Sequence, residues 1–144
     1  FALWEETTRI PMIWVAPGMT KPGTKCSQPV DTMSIYPTLC SLTGIEKPGH
    51  VSGHDISSLL RNPQAKWKHP AITTHGRGNH SVRTATERYI RYADGSEEYY
   101  DHSKDPYEWK NLAKTSDLSR FKKWLPEKEV ASQALKKNSK KPKK

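Results

Sequence analysis

Two histidines and two arginines fall within one short polar stretch, TTHGRGNHSVRT at residues 73–84. An imidazole can bind a metal ion or move a proton, and a guanidinium can hold a sulfate or carboxylate through two parallel N–H groups. His75 and His80 are five positions apart on a glycine-rich segment, and Arg77 and Arg83 stand beside them. The stretch therefore admits a metal centre, an anion site or an ordinary polar turn.

The metal and phosphate interpretations of this stretch find little support in the sequence. A zinc or copper site needs further ligands, and no Cys or carboxylate lies near the two histidines. The G-x-x-x-x-G-K-[ST] pattern of a phosphate loop is also absent. Two alternatives stay open. One is a surface loop whose polar groups cap a strand end, and the other is a substrate-recognition loop at such an end, where glycines let a ligand approach the backbone. In the second case we expect His75, His80 and Arg83 to bind the substrate.

Composition and charge narrow the classes of protein. The chain has 144 residues, of which 33% are hydrophobic, and this length suits one compact domain. Its net charge of +9 is concentrated at the end, where KKNSKKPKK at 136–144 is typical of a disordered, solvated tail. Non-specific polyanion binding through this tail is the alternative, but nothing predicts specific nucleic-acid recognition. No apolar run approaches the roughly 18 residues of a membrane span.

The first half of the chain predicts a strand and a helix. IPMIWVA at 10–16 is apolar and uncharged, as in a buried strand. DTMSIYPTLCSLTG at 31–44 combines a serine N-cap with a terminal glycine, which predicts a short helix. Its residues Ile35, Leu39 and Leu42 recur at helical spacing, so we expect them to form its buried face.

The second half predicts antiparallel strands and a closing helix. Residues 70–73 form an expected strand that runs into the histidine-containing loop, and 82–101 form an expected hairpin about Asp94-Gly95. Leu118, Phe121 and Leu125 follow helical spacing, and a second helical piece is expected to reach about residue 135. The fold class is therefore α+β, with a small antiparallel sheet packed with a helix.

The order of four motifs resembles the C-terminal portion of the sulfatases. The motifs are LWEETTRIPMIWVAPG, PVDTMSIYPTLCSLTGI, VSGHDISSLL and RYIRYADGSEEYYDHSKDPYEWKNLA. The D-P-x-E-x-x-N-L pattern in the last is the most specific, and the bacterial iduronate-sulfatase-like group is the most similar. The resemblance implies an alkaline-phosphatase-like α/β parent. In it, 1–62 would supply an edge strand and helix of the main domain, and 63–135 an antiparallel-sheet subdomain with a closing helix, before the tail at 136–144.

The resemblance also implies a reaction. Sulfatases hydrolyse sulfate esters of small molecules or glycans with Ca²⁺ and a formylglycine made from a C/S-x-P-x-R motif. Cys26 precedes Ser-Gln-Pro and Cys40 precedes Ser-Leu-Thr, so neither fits. We therefore expect no catalytic residue, metal ligand or bound cofactor in this chain. An N-terminal catalytic part of the same protein would be its partner, and the chain alone would be inactive. A periplasmic or secreted bacterial location is implied, and a phosphoester or phosphonate hydrolase of the same superfamily is the alternative.

Two further motifs receive structural interpretations. Glu5, Glu6 and Arg9 belong to the E-x-x-x-R-x-P element, and we expect a buried or half-buried ion pair there that fixes the start of the first strand. The alternative is that these residues support the active site of the parent enzyme. In DPYEWKNL, Asp105-Pro106 is expected to shape a turn and Trp109 to pack against the domain.

Overall fold

The computed structural model describes residues 2–125 as short helices around one antiparallel sheet, which confirms the α+β class. The helices are α1 (Glu5–Thr8), α2 (Ile35–Thr43), α3 (Ser57–Arg61) and α4 (Ser119–Lys122), with single 3-10 turns at Thr32–Ser34 and Ala113–Thr115. The strands are β1 (Ala71–Thr74), β2 (His80–Arg83), β3 (Glu87–Arg91) and β4 (Glu97–Asp101). Within this part of the chain no helix has the length and apolar character needed to cross a membrane.

The sheet is a meander in which each strand pairs antiparallel with the next, in the order β1-β2-β3-β4. The predicted hairpin between β3 and β4 is confirmed, with Tyr89 opposite Tyr99. Its turn forms at Asp94-Gly95, where Gly95 has a φ of 92° and the Asp94 carboxylate accepts the Ser96 N–H at 2.8 Å. This turn requires a left-handed backbone conformation at its second residue, and glycine adopts that conformation without strain.

One face of the sheet packs against α4. Val82 and Tyr89 from the strands meet Leu118 and Phe121, and all four side chains are buried. The Phe121 ring lies 5.6 Å from the rings of Tyr89 and Tyr99. The predicted closing helix is thus confirmed in its first turn. Its continuation to about residue 135 and the lysine-rich tail at 136–144 lie outside the described residues.

The opposite face of the sheet holds a second, smaller core. Ile90 and Tyr100 pack with Leu3, which precedes α1. Because side chains alternate across a strand, Arg88 projects from this same face between apolar neighbours. A buried arginine in this position needs partners, and they form the ionic cluster described below.

The sequence does not predict β2 as a separate strand, because residues 80–81 fall in the expected loop and 82–83 at the start of the expected hairpin. The structure places this segment in the sheet, paired with β1 on one side and β3 on the other. His80, Ser81 and Val82 have exposed fractions of 4%, 1% and 0%. The segment has polar residues on both faces and lacks the alternation that marks a half-buried strand, so its strand character comes from its two neighbours.

Residues 10–16, predicted to be a strand, carry none in the structure. The segment is nevertheless strand-like in its alternation: Met12 and Trp14 are half-buried, whereas Ile13 and Val15 are 87% and 84% exposed. A strand requires a hydrogen-bonded neighbour, and no described strand pairs with this segment. Its predicted role as the edge strand of a parent sheet stays a prediction.

Helix α2 is confirmed, but its predicted buried face is wrong. Ile35 and Leu39 are 38% and 47% exposed and Leu42 is only half-buried, whereas Thr38 and Cys40 are buried. The Thr38 hydroxyl accepts the backbone N–H of Ile56 at 3.0 Å, which joins α2 to the start of α3. The periodicity identified the helix correctly, but the small polar side chains face the rest of the described chain.

Candidate functional site

The loop between β1 and β2, residues 75–79, has a shape fixed by Asn79. The Asn79 amide donates to the His75 carbonyl at 3.0 Å, and its side-chain oxygen accepts the Ala93 N–H at 3.0 Å. The second bond ties the loop to the β3–β4 turn at the same end of the sheet. His75 and Arg77 are exposed on this braced loop. The loop therefore presents an imidazole and a guanidinium from a rigid base.

His80 lies at the base of this loop and not on it. Its ring is buried on the face shared with Val82, and its Nδ1 lies 2.9 Å from the Thr74 hydroxyl of β1. His75 and His80 thus belong to the same hairpin, one exposed and one buried. A direct contact with an external ligand is open to His75, whereas His80 supports the hairpin from within.

Arg83 stands at the other end of β2. Its Nε donates to a Glu5 carboxylate oxygen at 3.0 Å, and its Nη1 donates to the Thr84 carbonyl. Residues three apart on a strand lie roughly 10 Å apart and project to opposite faces. The structure therefore separates Arg83 from His80, and the three predicted substrate residues do not form one cluster.

Arg88 organises a buried ionic cluster on the α1 side of the sheet. It is 2% exposed. Its Nε donates to Glu108 at 2.6 Å, and its Nη2 donates to Glu5 at 2.5 Å. Its Nη1 donates to the Ser81 hydroxyl at 2.6 Å and to the Leu3 carbonyl at 3.1 Å. Every edge of the guanidinium is thus engaged, as burial of a charge requires.

Glu108 is the second centre of the cluster. Beyond its bond with Arg88, its carboxylate accepts the Glu5 backbone N–H at 2.8 Å and lies 2.7 Å from His102 Nε2. Its backbone adopts a left-handed φ of 59°, which is uncommon outside glycine. The carboxylate therefore connects α1, β3 and the segment after β4.

Glu5 bridges the two arginines. Burial raises the pKa of this carboxyl, but the hydrogen bonds from Arg83 and Arg88 outweigh burial and lower the pKa below the usual 4.5. The predicted ion pair of the E-x-x-x-R-x-P element is therefore wrong in its partner, because Glu5 pairs with Arg83 and Arg88 and not with Arg9. No sequence pattern marks these two arginines, and the D-P-x-E pattern marks only the other carboxylate of the cluster, Glu108.

Glu5, His102 and Glu108 are close enough to raise the question of a metal ion, since their ligand atoms lie within 4.8 Å of one another. Both carboxylates already accept guanidinium hydrogen bonds, and a cation there would meet the charges of Arg83 and Arg88. Calcium takes six to eight oxygen ligands, which this cluster does not offer. The residues therefore do not fit calcium, and the cluster joins elements of the fold.

The segment after β4 turns as predicted but exposes its aromatic residues. The Asp105 carboxylate accepts the Lys110 N–H at 2.8 Å and closes the turn. Trp109 was predicted to pack against the domain, but it is 85% exposed and stacks on Tyr107 with ring centroids 5.4 Å apart. The prediction for Trp109 is therefore wrong, because Glu108 takes the inward position between them.

Comparison with known proteins identifies relatives of the chain. The family model described as N-sulphoglucosamine sulphohydrolase, C-terminal, matches residues 2–135. A sulfatase of Formosa agariphila is 37% identical over 129 residues, covering 87% of this chain and 25% of the relative. The Delta 4,5-hexuronate-2-O-sulfatase of Bacteroides thetaiotaomicron is 34% identical over 138 residues, covering 83% and 27%. The chain spans about a quarter of the length of the curated relatives it matches.

Solved structures with the same fold include Ps i-CgsB, which has a TM-score of 0.51 and 19% identity and is matched over 69% of this chain and 23% of its own. A 2-O GAG sulfatase has a TM-score of 0.43 and 29% identity, with 72% of this chain and 23% of its own covered.

Proposed function

The chain belongs to the sulfatase family and corresponds to the C-terminal portion of a sulfatase. We propose that it completes an enzyme that hydrolyses sulfate esters of glycans. The observation that carries this proposal is the family match over residues 2–135. Two relatives support the substrate class by their names, the Delta 4,5-hexuronate-2-O-sulfatase and the Ulvan-active sulfatase of Formosa agariphila, which is 30% identical to this chain. A phosphoester or phosphonate hydrolase of the same superfamily is the competing enzyme.

The proposed enzyme needs chemistry that this sequence does not supply. Cleavage of a sulfate ester requires a strong nucleophile and positive charge for the departing oxygen. We place the formylglycine and Ca²⁺ of the sulfatases in an N-terminal catalytic part of the same protein. The protein would work in the periplasm or outside the cell.

The exposed apolar side chains of the described residues support the presence of a large partner within the same protein. Ile13 and Val15 are more than four-fifths exposed, and Ile35 and Leu39 expose a second apolar strip on α2. A contiguous apolar surface usually marks a contact with another protein part. The catalytic part would cover both strips, and residues 10–16 would then gain the neighbouring strand that their extended form requires.

Within this enzyme, the loop 75–79 would form one wall of the substrate pocket. His75 would contact the sulfated sugar, and His80 would hold the hairpin through Thr74. The Arg83 guanidinium already donates hydrogen bonds to Glu5 and to the Thr84 carbonyl, and it lies at the end of β2 opposite the loop. Direct substrate contact is therefore assigned to His75, with His80 as a positioning residue.

The test measures sulfate release from a 2-O-sulfated unsaturated disaccharide by the whole protein that carries this chain. We expect turnover by the whole protein and none by the 144 residues alone. Release of sulfate by the 144 residues, or preferential hydrolysis of a phosphonate monoester by the whole protein, would contradict the proposal.

The role of the loop is tested with two histidine variants. His75→Ala should raise KM about tenfold, the loss expected for one polar substrate contact. His50→Ala replaces another exposed histidine outside the hairpin and should leave KM unchanged. Equal KM values for the two variants would remove His75 from the pocket.

A further inference from the structure

Tyr107 and Trp109 form an exposed aromatic pair on the segment after β4. Their side chains are 66% and 85% exposed, and their rings are stacked with a centroid distance of 5.4 Å and an interplanar angle of 23°. Large aromatic side chains are usually at least half buried. Two parallel rings on the surface therefore offer a flat apolar platform with one polar atom on each ring.

The fold holds this pair outward by burying the residue between them. The Glu108 carboxylate is drawn into the ionic cluster by Arg88, and its left-handed φ of 59° turns the backbone at that residue. The residues on either side therefore point away from the domain. Asp105 closes the same segment through the Lys110 N–H. The platform is thus attached to a fixed backbone.

Charged side chains of both signs lie beside this platform. A cleft of about 460 Å³ next to it is lined by Tyr107, Arg9, Arg83 and His102, together with Glu5 and Glu6. Glu5 is neutralised by its two arginines. Lys110 is exposed on the same segment as the aromatic pair, whereas Lys104 pairs with Asp101 at 3.4 Å. A flat apolar surface with exposed cations nearby suits a ring that presents C–H groups on one face and carries anionic groups at its edge.

We propose that the aromatic pair binds a sugar ring of a sulfated glycan chain. The C–H groups on one face of a pyranose ring pack against the negative face of an aromatic ring, and Tyr and Trp offer this area at little conformational cost. Arg9 and Lys110, both exposed, would attract the sulfate groups. This inference rests on the proposed function and adds to it a second contact with the same substrate.

The pair lies far from the loop proposed to wall the pocket. The loop 75–79 and the β3–β4 turn share one end of the sheet, whereas the segment after β4 leaves from the other end. A strand of five residues separates the ends by roughly 15 Å. The pair would therefore contact a sugar several units from the one that loses its sulfate, and a disaccharide would not reach both places.

The experiment compares substrates of different length with the whole protein. Trp109→Ala and Tyr107→Ala should each raise KM for a sulfated octasaccharide about fivefold and leave kcat unchanged, because the lost contact is remote from the reacting bond. The same variants should leave KM and kcat for the disaccharide unchanged. Trp109→Phe keeps an aromatic face, so its KM for the octasaccharide should be close to that of wild type.

Three results would overturn the platform. The first is an unchanged octasaccharide KM in both alanine variants, and the second is an equal rise for both substrates. The third is shielding of Trp109 from acrylamide quenching in the whole protein, which would mean that another part of the protein covers it. His50→Ala, which removes an exposed ring away from the segment after β4, is the control. Failure of the proposed function itself appears separately, as a wild-type protein that releases no sulfate from the disaccharide.

Discussion

Replacing Arg88 by methionine should destabilise the fold more than any other single change in the ionic cluster. Methionine matches the length of the arginine stem and removes the charge. Glu108, whose side chain is 2% exposed, would keep its bonds with His102 and the Glu5 N–H but lose its guanidinium. Glu5 is less affected, because it is 19% exposed and retains Arg83.

The magnitude follows from the burial of the stranded carboxylate. Removing one partner of a buried ion pair costs about 3–5 kcal/mol, a large share of the roughly 5–15 kcal/mol that stabilises a typical protein. With a urea dependence of about 2 kcal/mol per molar, the unfolding midpoint of Arg88→Met should fall by about 2 M. Replacing Arg88 and Glu108 together by methionine should restore much of this loss, because no unpaired charge remains buried.

The assay is urea unfolding of the 144-residue chain followed by near-ultraviolet circular dichroism. Arg120→Met is the matched control, because Arg120 pairs with Glu87 but is 57% exposed. An exposed pair contributes about 1 kcal/mol or less. If Arg88→Met lowers stability no more than Arg120→Met, or if the double variant is less stable than the single one, the account of the cluster is refuted.

Three other perturbations test separate features. Asn79→Ala removes the bonds that brace the loop 75–79, so amide exchange there should accelerate at least tenfold while exchange in β3 stays constant; equal acceleration in both would contradict a local brace. Gly53→Ala would place a Cβ 2.1 Å from the Met33 carbonyl oxygen at a residue with a φ of 96°, and should lower the free energy of unfolding in urea by more than about 2 kcal/mol. The control Gly49→Ala places its Cβ where no atom lies within 4 Å, and should lower it by about 1 kcal/mol or less. Because folding lowers the pKa of Glu5, the ionised carboxylate stabilises the fold fully above the unfolded pKa near 4.5, and this stabilisation is lost as pH falls through the folded pKa. The urea midpoint of wild type should therefore exceed that of Glu5→Gln at pH 7 and approach it at pH 3. A difference that stays constant with pH would count against the pairing.

The hairpins show which parts of the fold are predictable from sequence. The β3–β4 turn follows from Asp94-Gly95, because its geometry is a local property of two residues. Strand β2 does not follow, because His80 and Ser81 are polar on both faces and find their partners in Thr74 and Arg88, on the two neighbouring strands. Helix α2 lies between these cases, since periodicity predicts the helix but not which side is covered.

The site residues divide in the same way. His75 could be placed on a loop because glycines and polar residues surround it. The ionic cluster could not be predicted, because Glu5 and Glu108 are 103 residues apart and their contact depends on the whole sheet. The D-P-x-E pattern singles out Glu108, but no sequence feature distinguishes its partner Arg88 from Arg91 on the same strand.

The distances along the chain that the Glu5 contacts span also bear on how the domain folds. Each strand pairs with its immediate successor, so the sheet has local contacts and low contact order. The bonds from Glu5 to Arg83, Arg88 and Glu108 instead close loops of 78, 83 and 103 residues. Hairpins close before such long loops do, because the entropy of closure grows with loop length. Helix α1 is therefore expected to be the last element to join the sheet and the first to detach from it.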